Sequence, residues 1–280
     1  MKKLFLLLLV FVSILSNAEQ LEIIVPVPPG GPVDFVARIL QQELLNREKI
    51  TSFVVYKPGG DGQIATKYFL NNQSNKILMV STATILSLKL AVKDIDYDPI
   101  NDFKIIGPVT TAPLVVAVKS DKDMNTISDL VNKSKHTKIN CGAAGSYSAL
   151  YLNNLIQNNS IQNAIVVTYK STGQPIVDLI AGNIDCLGTI PASVMNYPEL
   201  TILKDDTHKQ QILFDSFTAI AIGEETTSAN QIKKLLTDLS TDKDFVLVMK
   251  KRGYNISNKI DFNYSKTLDK TYQILEADLK

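Results

Sequence analysis

The chain has 280 residues, 45% of them hydrophobic and 20% charged. That supplies a packed core for one large domain or two ordinary ones, so disorder is excluded, and 13 Gly with 11 Pro exclude collagen-like and low-complexity classes. The formal charge is +1, and 29 basic residues less Lys2 and Lys3 leave 27 against 28 acidic ones; a nucleic-acid binder carries a basic excess, and two His with two scattered Cys do not make a closed zinc site of the finger type.

The amino terminus has the order of a secretory signal. Lys2 and Lys3 precede an apolar run, Leu4 to Leu15, broken only by Ser13, and Ser16-Asn17-Ala18 offers small residues to a signal peptidase. An uncleaved membrane anchor is the other reading, but a spanning helix needs about 20 apolar residues, and this run is shorter. Cleavage is expected near Ala18, leaving a mature chain that starts near Glu19 outside the cytoplasm.

From there, short apolar runs alternate with helical patterns, the signature of an α/β protein. Leu21 to Val27 reads as a strand. Pro32 opens a helix, where its missing N–H costs nothing, and Val33, Val36, Leu40 and Leu44 give that helix a buried stripe. Thr51 to Tyr56 is a second strand, followed by the turn cluster Lys57-Pro58-Gly59-Gly60-Asp61-Gly62. A helix over Ile64 to Asn72 and a strand over Ile77 to Ser81 follow. Phe103 to Gly107 and Leu114 to Lys119 read as strands, the second carrying the chain into another lobe. After a helix over Ile127 to Ser134 comes a fresh β-α-β-α-β series: Lys138 to Cys141, Ser148 to Gln157, Ala164 to Tyr169, Pro175 to Ala181 and Ile184 to Leu187. Phe217 to Ile222 brings the chain back, and helices over Ala229 to Leu239, Asp242 to Arg252 and Lys266 to Leu279 close it. The expected organisation is a signal peptide over 1–18, one lobe from 19–118 plus 220–280, and a second lobe from 119–219. Such lobes leave a ligand cleft at the carboxyl ends of their strands.

Export permits a disulfide. Cys141 and Cys186 each lie in a run that reads as a buried strand. Two separate buried thiols are expected rather than a bridge, because cross-strand geometry rarely suits one.

Two segments could carry chemistry. In Val25-Pro26-Val27-Pro28-Pro29-Gly30-Gly31-Pro32-Val33-Asp34 a strand ends, a Gly pair follows and a helix begins. Main-chain N–H groups at a helix start favour a carboxylate or phosphate, and Gly30 and Gly31 let a ligand come close. A tight βα turn with no ligand has the same composition. Neither a dinucleotide fingerprint nor a P-loop is present. Asp34 and Arg38 stand four apart, the spacing of a helix ion pair, and an acid aimed at an anion would repel it. In Cys141-Gly142-Ala143-Ala144-Gly145-Ser146-Tyr147 a second strand runs into a helix through small residues and a hydroxyl. Ser146 there is a helix cap, a ligand donor or, in a hydrolase, a nucleophile; Ala144 and Ser148 flank it where a nucleophile elbow has Gly. After the leader only Arg38, Arg47 and Arg252 remain as arginines, all in predicted helices, so a bidentate Arg clamp on an anion is not expected.

Four matches resemble the periplasmic solute-binding receptors of the tripartite tricarboxylate transporter family, also called Bug receptors. Pro26 to Asp34 with Ala37-Arg38 resembles the family's opening signature. Lys57 to Gly62 resembles its Asn-Arg-Pro-Gly-Ala-Gly-Gly turn. Tyr97-Asp98-Pro99 with Asp102-Phe103 resembles the pairs before its crossover, and Val167-Thr168-Tyr169-Lys170 with Asp178 to Asp185 resembles its Val-Pro-Tyr-Lys-Gly and Leu-Leu-Gly-Gly-Gln-Val-Asp block. Thr168 and Ser171 depart from that block, and the stretch from Asn196 to Asp215 is shortened. The resemblance implies a two-lobed, type II-like periplasmic-binding-protein fold closing on a small carboxylate, a di- or tricarboxylate or related acid. It implies that Pro28, Pro29, Gly30, Gly31 and Asp34 face Gly145, Ser146 and Tyr147 across the cleft. Ser81, Thr82 and Thr84 then line the first wall, and Tyr169, Thr189 and Pro191 the second. No catalytic residue, cofactor or metal is implied. The expected partners are the carboxylate and the membrane subunits of the transporter, with no nucleic acid, and the expected state is a monomer. Two rival readings are a sensor feeding a membrane kinase and a hydrolase using Ser146.

Overall fold

The computed structural model of the chain describes residues 20–82, 84, 95, 97–98, 102, 104–120, 123–207, 215–223 and 226–257. The expected leader over 1–18 and the expected helix from Lys266 to Leu279 lie outside the described residues.

Strand β1 (Leu21–Val25) is buried at every position, as a central strand with both faces covered must be. Helix α1 (Pro32–Glu48) turns Val33, Val36, Ala37, Leu40 and Leu44 inward. It stops at Lys49, which takes the left-handed conformation and returns its N–H to Leu44. Strand β2 (Ser52–Tyr56), a single 3₁₀ turn over Gly60–Gly62, α2 (Gln63–Asn71) and β3 (Lys76–Ser81) follow. Strand β4 (Lys104–Pro113) is longer than the expected run ending at Gly107; it continues through that glycine, whose φ is +113.

The second lobe holds β5 (Val115–Lys119), α3 (Ile127–Ser134), β6 (Ile139–Ala144), α4 (Ser146–Asn158), β7 (Ala164–Tyr169), α5 (Gly173–Ala181), β8 (Cys186–Thr189), the short α6 (Pro191–Val194) and β9 (Leu200–Ile202). Thr126 and Asp129 form a reciprocal cap on α3. The chain then returns through β10 (Asp215–Ile222), α7 (Ala229–Thr241), α8 (Lys243–Lys251) and β11 (Asn255–Ile256). Asp242 caps α8 and accepts Arg47 of α1 at 2.7 Å. That guanidinium, together with the cap amides, holds the Asp242 carboxyl below its usual range.

Two mixed sheets result, ordered β11-β4-β10-β3-β1-β2 and β7-β6-β8-β5-β9. The passage out falls at Leu114, between β4 in the first sheet and β5 in the second, and β10 is already back in the first sheet from Asp215. The crossings therefore sit a few residues before the expected boundaries at 118/119 and 219/220, because β5 pairs with β8 and β9 and not with β4.

Both lobes repeat one topology. Parallel strands β2 and β3 flank β1, and parallel strands β7 and β8 flank β6. The chain leaves the central strand to one side and comes back on the other. This makes the carboxyl ends of β1 and β6 topological switch points, where an open α/β sheet leaves a crevice. The same arrangement corrects the expectation of separate thiols. Cys141 and Cys186 are direct partners on adjacent strands, their Cα atoms are 4.5 Å apart, and the sulfurs are bonded; that separation suits a bridge.

Candidate functional site

The switch point of the first lobe lies where β1 gives way to Pro26 through Gly31. Gly30 has φ +91, a conformation that suits glycine. Its N–H donates to Asp34 Oδ2 at 2.8 Å. The Tyr56 hydroxyl donates to Asp34 Oδ1 at 2.6 Å, and Arg38 Nε donates to the same oxygen at 3.0 Å. Arg38 also reaches Tyr56 Oη at 2.6 Å. Burial, then the neighbouring Asp34, pushes the Tyr56 phenol up from its ordinary value, so it stays protonated and donates. Asp34 is only 5% exposed. Its carboxylate and the Gly30 amide thus fix the shape of the turn, and the donors that remain are later ones. Among the described residues no side chain caps α1, and Pro32 at its start has no N–H; the Val33 and Asp34 amides are left at the helix start.

The second lobe repeats the device. Gly145 has φ +81 and donates its N–H to the Tyr169 carbonyl at 3.1 Å. Helix α4 begins at Ser146 with no side-chain cap among the described residues. Two helix starts, each without a side-chain cap among the described residues and each carrying the positive end of a helix dipole, therefore lie at the two switch points.

These turns meet across the lobes. A side chain at Gly31 would begin 3.7 Å from Thr172 Oγ1, in the turn between β7 and α5. A side chain at Gly145 would begin 3.8 Å from Asp61 Oδ1, in the turn between β2 and α2. The Ser146 hydroxyl donates to Asp61 Oδ2. Four turns, two from each lobe, thus meet in two pairs across the lobes.

The other expected residues divide. Pro28 and Pro29 lie in the first turn, Pro29 exposed and Pro28 half-buried. Thr84 stands beside Gly62 and Pro26, since a Cβ on Gly62 would meet Thr84 Cγ2 at 2.6 Å. The Ser81 and Thr84 hydroxyls pair at 3.0 Å just below the turn. Thr82 accepts the Phe217 N–H at 2.8 Å, binding β3 to the returning β10. Tyr147 is buried behind the second turn. Tyr169 donates to Asp178 at 2.8 Å; the Asn183 amide and this phenol hold the Asp178 carboxyl below its usual range. Thr189 is buried at the end of β8, and Pro191 opens α6. Asp34, Thr82 and Tyr169 thus have polar ends engaged inside their own lobes. Asp185 is also structural, accepting Lys133 at 3.0 Å and the Asn140 amide at 2.9 Å. Arg38 and Arg47 are paired with acids, and Arg252 lies over the Phe35 ring at 5.2 Å.

Thr172 and Asp61 enter the site without having been singled out in the sequence. Thr172 follows the Tyr-Lys pair by two positions, and Asp61 is an acid inside a glycine turn; only the approach of the lobes gives either a place.

The sequence model of the tripartite tricarboxylate transporter family receptor (TctC) matches residues 36–231. Protein BugT of Bordetella pertussis is 26% identical over 188 residues, which are 65% of this chain and 56% of that protein. A UPF0065 protein from the TAR-I ttuE-ttuC' intergenic region of Agrobacterium vitis is 27% identical over 172 residues, 60% of this chain and 50% of that protein. The chain thus spans about half the length of the curated relatives it matches. Among solved structures, R. palustris Rpa4515 with adipate superposes with a TM-score of 0.80 at 14% identity, covering 92% of this chain and 95% of that one. MatC (Rpa3494) from Rhodopseudomonas palustris with bound malate gives 0.76 at 14% identity, covering 93% and 99%. Periplasmic binding protein BugD gives 0.74 at 20% identity, covering 91% and 95%. The two-lobed fold is therefore that of periplasmic binding proteins, and with the family model matched over most of its length the chain belongs to the tripartite tricarboxylate transporter family of receptors.

Proposed function

We propose that the chain is an extracytoplasmic receptor that captures a small carboxylate between its lobes and delivers it to the membrane subunits of a transporter. One observation carries this reading: the two uncapped helix starts at the ends of β1 and β6 meet the turns at Thr172 and Asp61. An anion placed there is held by amides and hydroxyls without an arginine. Four or five hydrogen bonds to a charged group gross about 6–15 kcal/mol at about 1.5–3 kcal/mol each. A micromolar ligand needs about 8 kcal/mol net, which the upper part of that range reaches after the cost of ordering the ligand. The acids in the adipate- and malate-bound neighbours belong to that chemical class. The leader read from the sequence supports export, and among the described residues no helix is long and apolar enough to cross a membrane.

The arrangement supports binding over hydrolysis. The Ser146 hydroxyl donates a hydrogen bond to the Asp61 carboxylate and has no imidazole beside it among the described residues, where the one imidazole, His136, is exposed in the turn after α3. His208 lies outside the described residues.

The test is a melting-temperature screen of the leaderless protein against mono- and dicarboxylic acids, repeated on Gly31→Val. At least one acid should raise the wild-type melting temperature. Valine methyls at position 31 would enter the space of Thr172, 3.7 Å from the first side-chain atom. Overpacking of about 1–3 kcal/mol corresponds to binding weakened about 5- to 150-fold, with the fold retained. Equal affinity in the two proteins contradicts the assigned cleft, and a blank screen with a folded protein contradicts the receptor.

A further inference from the structure

We propose that Met195 is a reversible oxidation site in the seam between the lobes, through which a peroxide weakens acid capture. Its effect on capture rests on the receptor reading above; its reactivity does not.

Met195 follows α6 in the second lobe and returns its N–H to the Pro191 carbonyl at 3.0 Å. It is 51% exposed, whereas Met79, Met124 and Met249 are 0%, 8% and 1% exposed. The two cysteines are bonded to each other and offer no thiol. Among the described residues, an oxidant arriving from solvent therefore meets one sulfur within easy reach. The step is a two-electron oxidation. A lone pair of the thioether sulfur attacks one oxygen of the peroxide and an S–O bond forms. The O–O bond breaks, the proton moves to the departing oxygen, and water leaves. The side chain changes from flexible and apolar to polar, and methionine sulfoxide reductases reverse the change.

The neighbours of this sulfur give the change a consequence. Across the seam stands Gly253, in the turn between α8 and β11 of the first lobe. A Cβ placed on Gly253 would lie 2.8 Å from Met195 Sδ and 2.6 Å from the Ala192 amide nitrogen. The lobes thus touch here close to backbone contact, with the thioether filling the side of the seam. Tyr254 follows Gly253, is buried, and stacks on Phe35 of α1 with ring centroids 5.3 Å apart. Phe35 stands next to Asp34, so a displacement at the seam reaches the start of α1 through two residues. A polar oxygen on Met195 gives up the apolar contact and draws the side chain towards water. Lobes that close on a ligand are a two-state element, and a loosened seam shifts them towards the open state.

The leaderless protein is treated with hydrogen peroxide and digested, and its methionine peptides are measured by mass spectrometry. The Met195 peptide should gain one oxygen at least about tenfold faster than those of Met79, Met124 and Met249. Affinity for the acid that raises the melting temperature most is then measured on wild type and on Met195→Leu, a swap that keeps size and apolarity, each before and after treatment. Treated wild type should bind at least about fivefold more weakly. It should recover with methionine sulfoxide reductases and not with their reductant alone, and Met195→Leu should not respond to peroxide. Buried methionines oxidised as fast as Met195 overturn the site. Selective oxidation with unchanged affinity, or an equal loss in Met195→Leu, overturns its role in capture and leaves the receptor standing. No acid bound by untreated wild type overturns the receptor and that role together, while the peptide masses still decide the site.

Discussion

Replacing Cys141 and Cys186 together by alanine is expected to destabilise the protein by about 4 kcal/mol, the chain entropy released when a bond across 45 residues is removed. At about 2–4 °C per kcal/mol for a domain of this size, the melting temperature should fall by about 8–16 °C. Both residues are buried, Cys141 1% and Cys186 0% exposed, so the alanines also leave a small void. The bond has a functional position as well. It joins β6 and β8 a few residues before β6 enters the Gly145 turn and β8 ends at Thr189. Losing it loosens the root of the second lobe's half of the cleft, and acid binding should weaken along with stability. Thermal denaturation by circular dichroism, with and without reductant, checks this. A melting temperature within about 2 °C of wild type would show that the bond constrains little of the unfolded chain.

Asp34→Ala should cost about 2–4 kcal/mol and abolish tight acid binding. The carboxylate gathers the Gly30 N–H, the Tyr56 hydroxyl and Arg38 Nε within 2.6–3.0 Å. Arg38 is 57% exposed, so its ion pair contributes little. The other two are hydrogen bonds to a buried charge, about 1.5–3 kcal/mol each; in the alanine variant water reaches the exposed Gly30 N–H and offsets part of that loss. The turn from Pro28 to Gly31 then loses its anchor, and the amides behind it lose their aim. Asp34→Asn keeps an oxygen acceptor and should fall between wild type and alanine in both stability and affinity. Urea denaturation with acid titration measures the two effects on the same samples. A normal affinity in Asp34→Ala would mean that the turn holds its shape without the carboxylate.

What the sequence pattern discloses and what it hides separate by distance along the chain. The helix over α1 was legible because its apolar stripe repeats at helical spacing and Pro32 marks its start. The two glycine turns were legible because a strand, small residues and a helix follow one another directly. The length of β4 was not: Gly107 looks like a strand end, whereas it lies at a register shift opposite Thr218–Ile220 that lets the strand run on to Pro113. The disulfide was hidden for a topological reason, since β8 follows β7 in sequence but pairs with β6. The engagement of Asp34 by Tyr56 depends on β2 lying beside β1 in register, with Val25 opposite Tyr56. Thr172 and Asp61 depend on how two lobes meet, which no local pattern encodes.

A bound acid should touch both helix starts at once. Backbone amide chemical shifts followed by nuclear magnetic resonance, while the leaderless protein is titrated with the acid that raises its melting temperature most, test this directly. The largest shifts should fall together at Gly31, Val33 and Asp34 and at Gly145 to Ser148, saturating at the same concentration. Shifts confined to one of these turns, or centred elsewhere in either lobe, would contradict it.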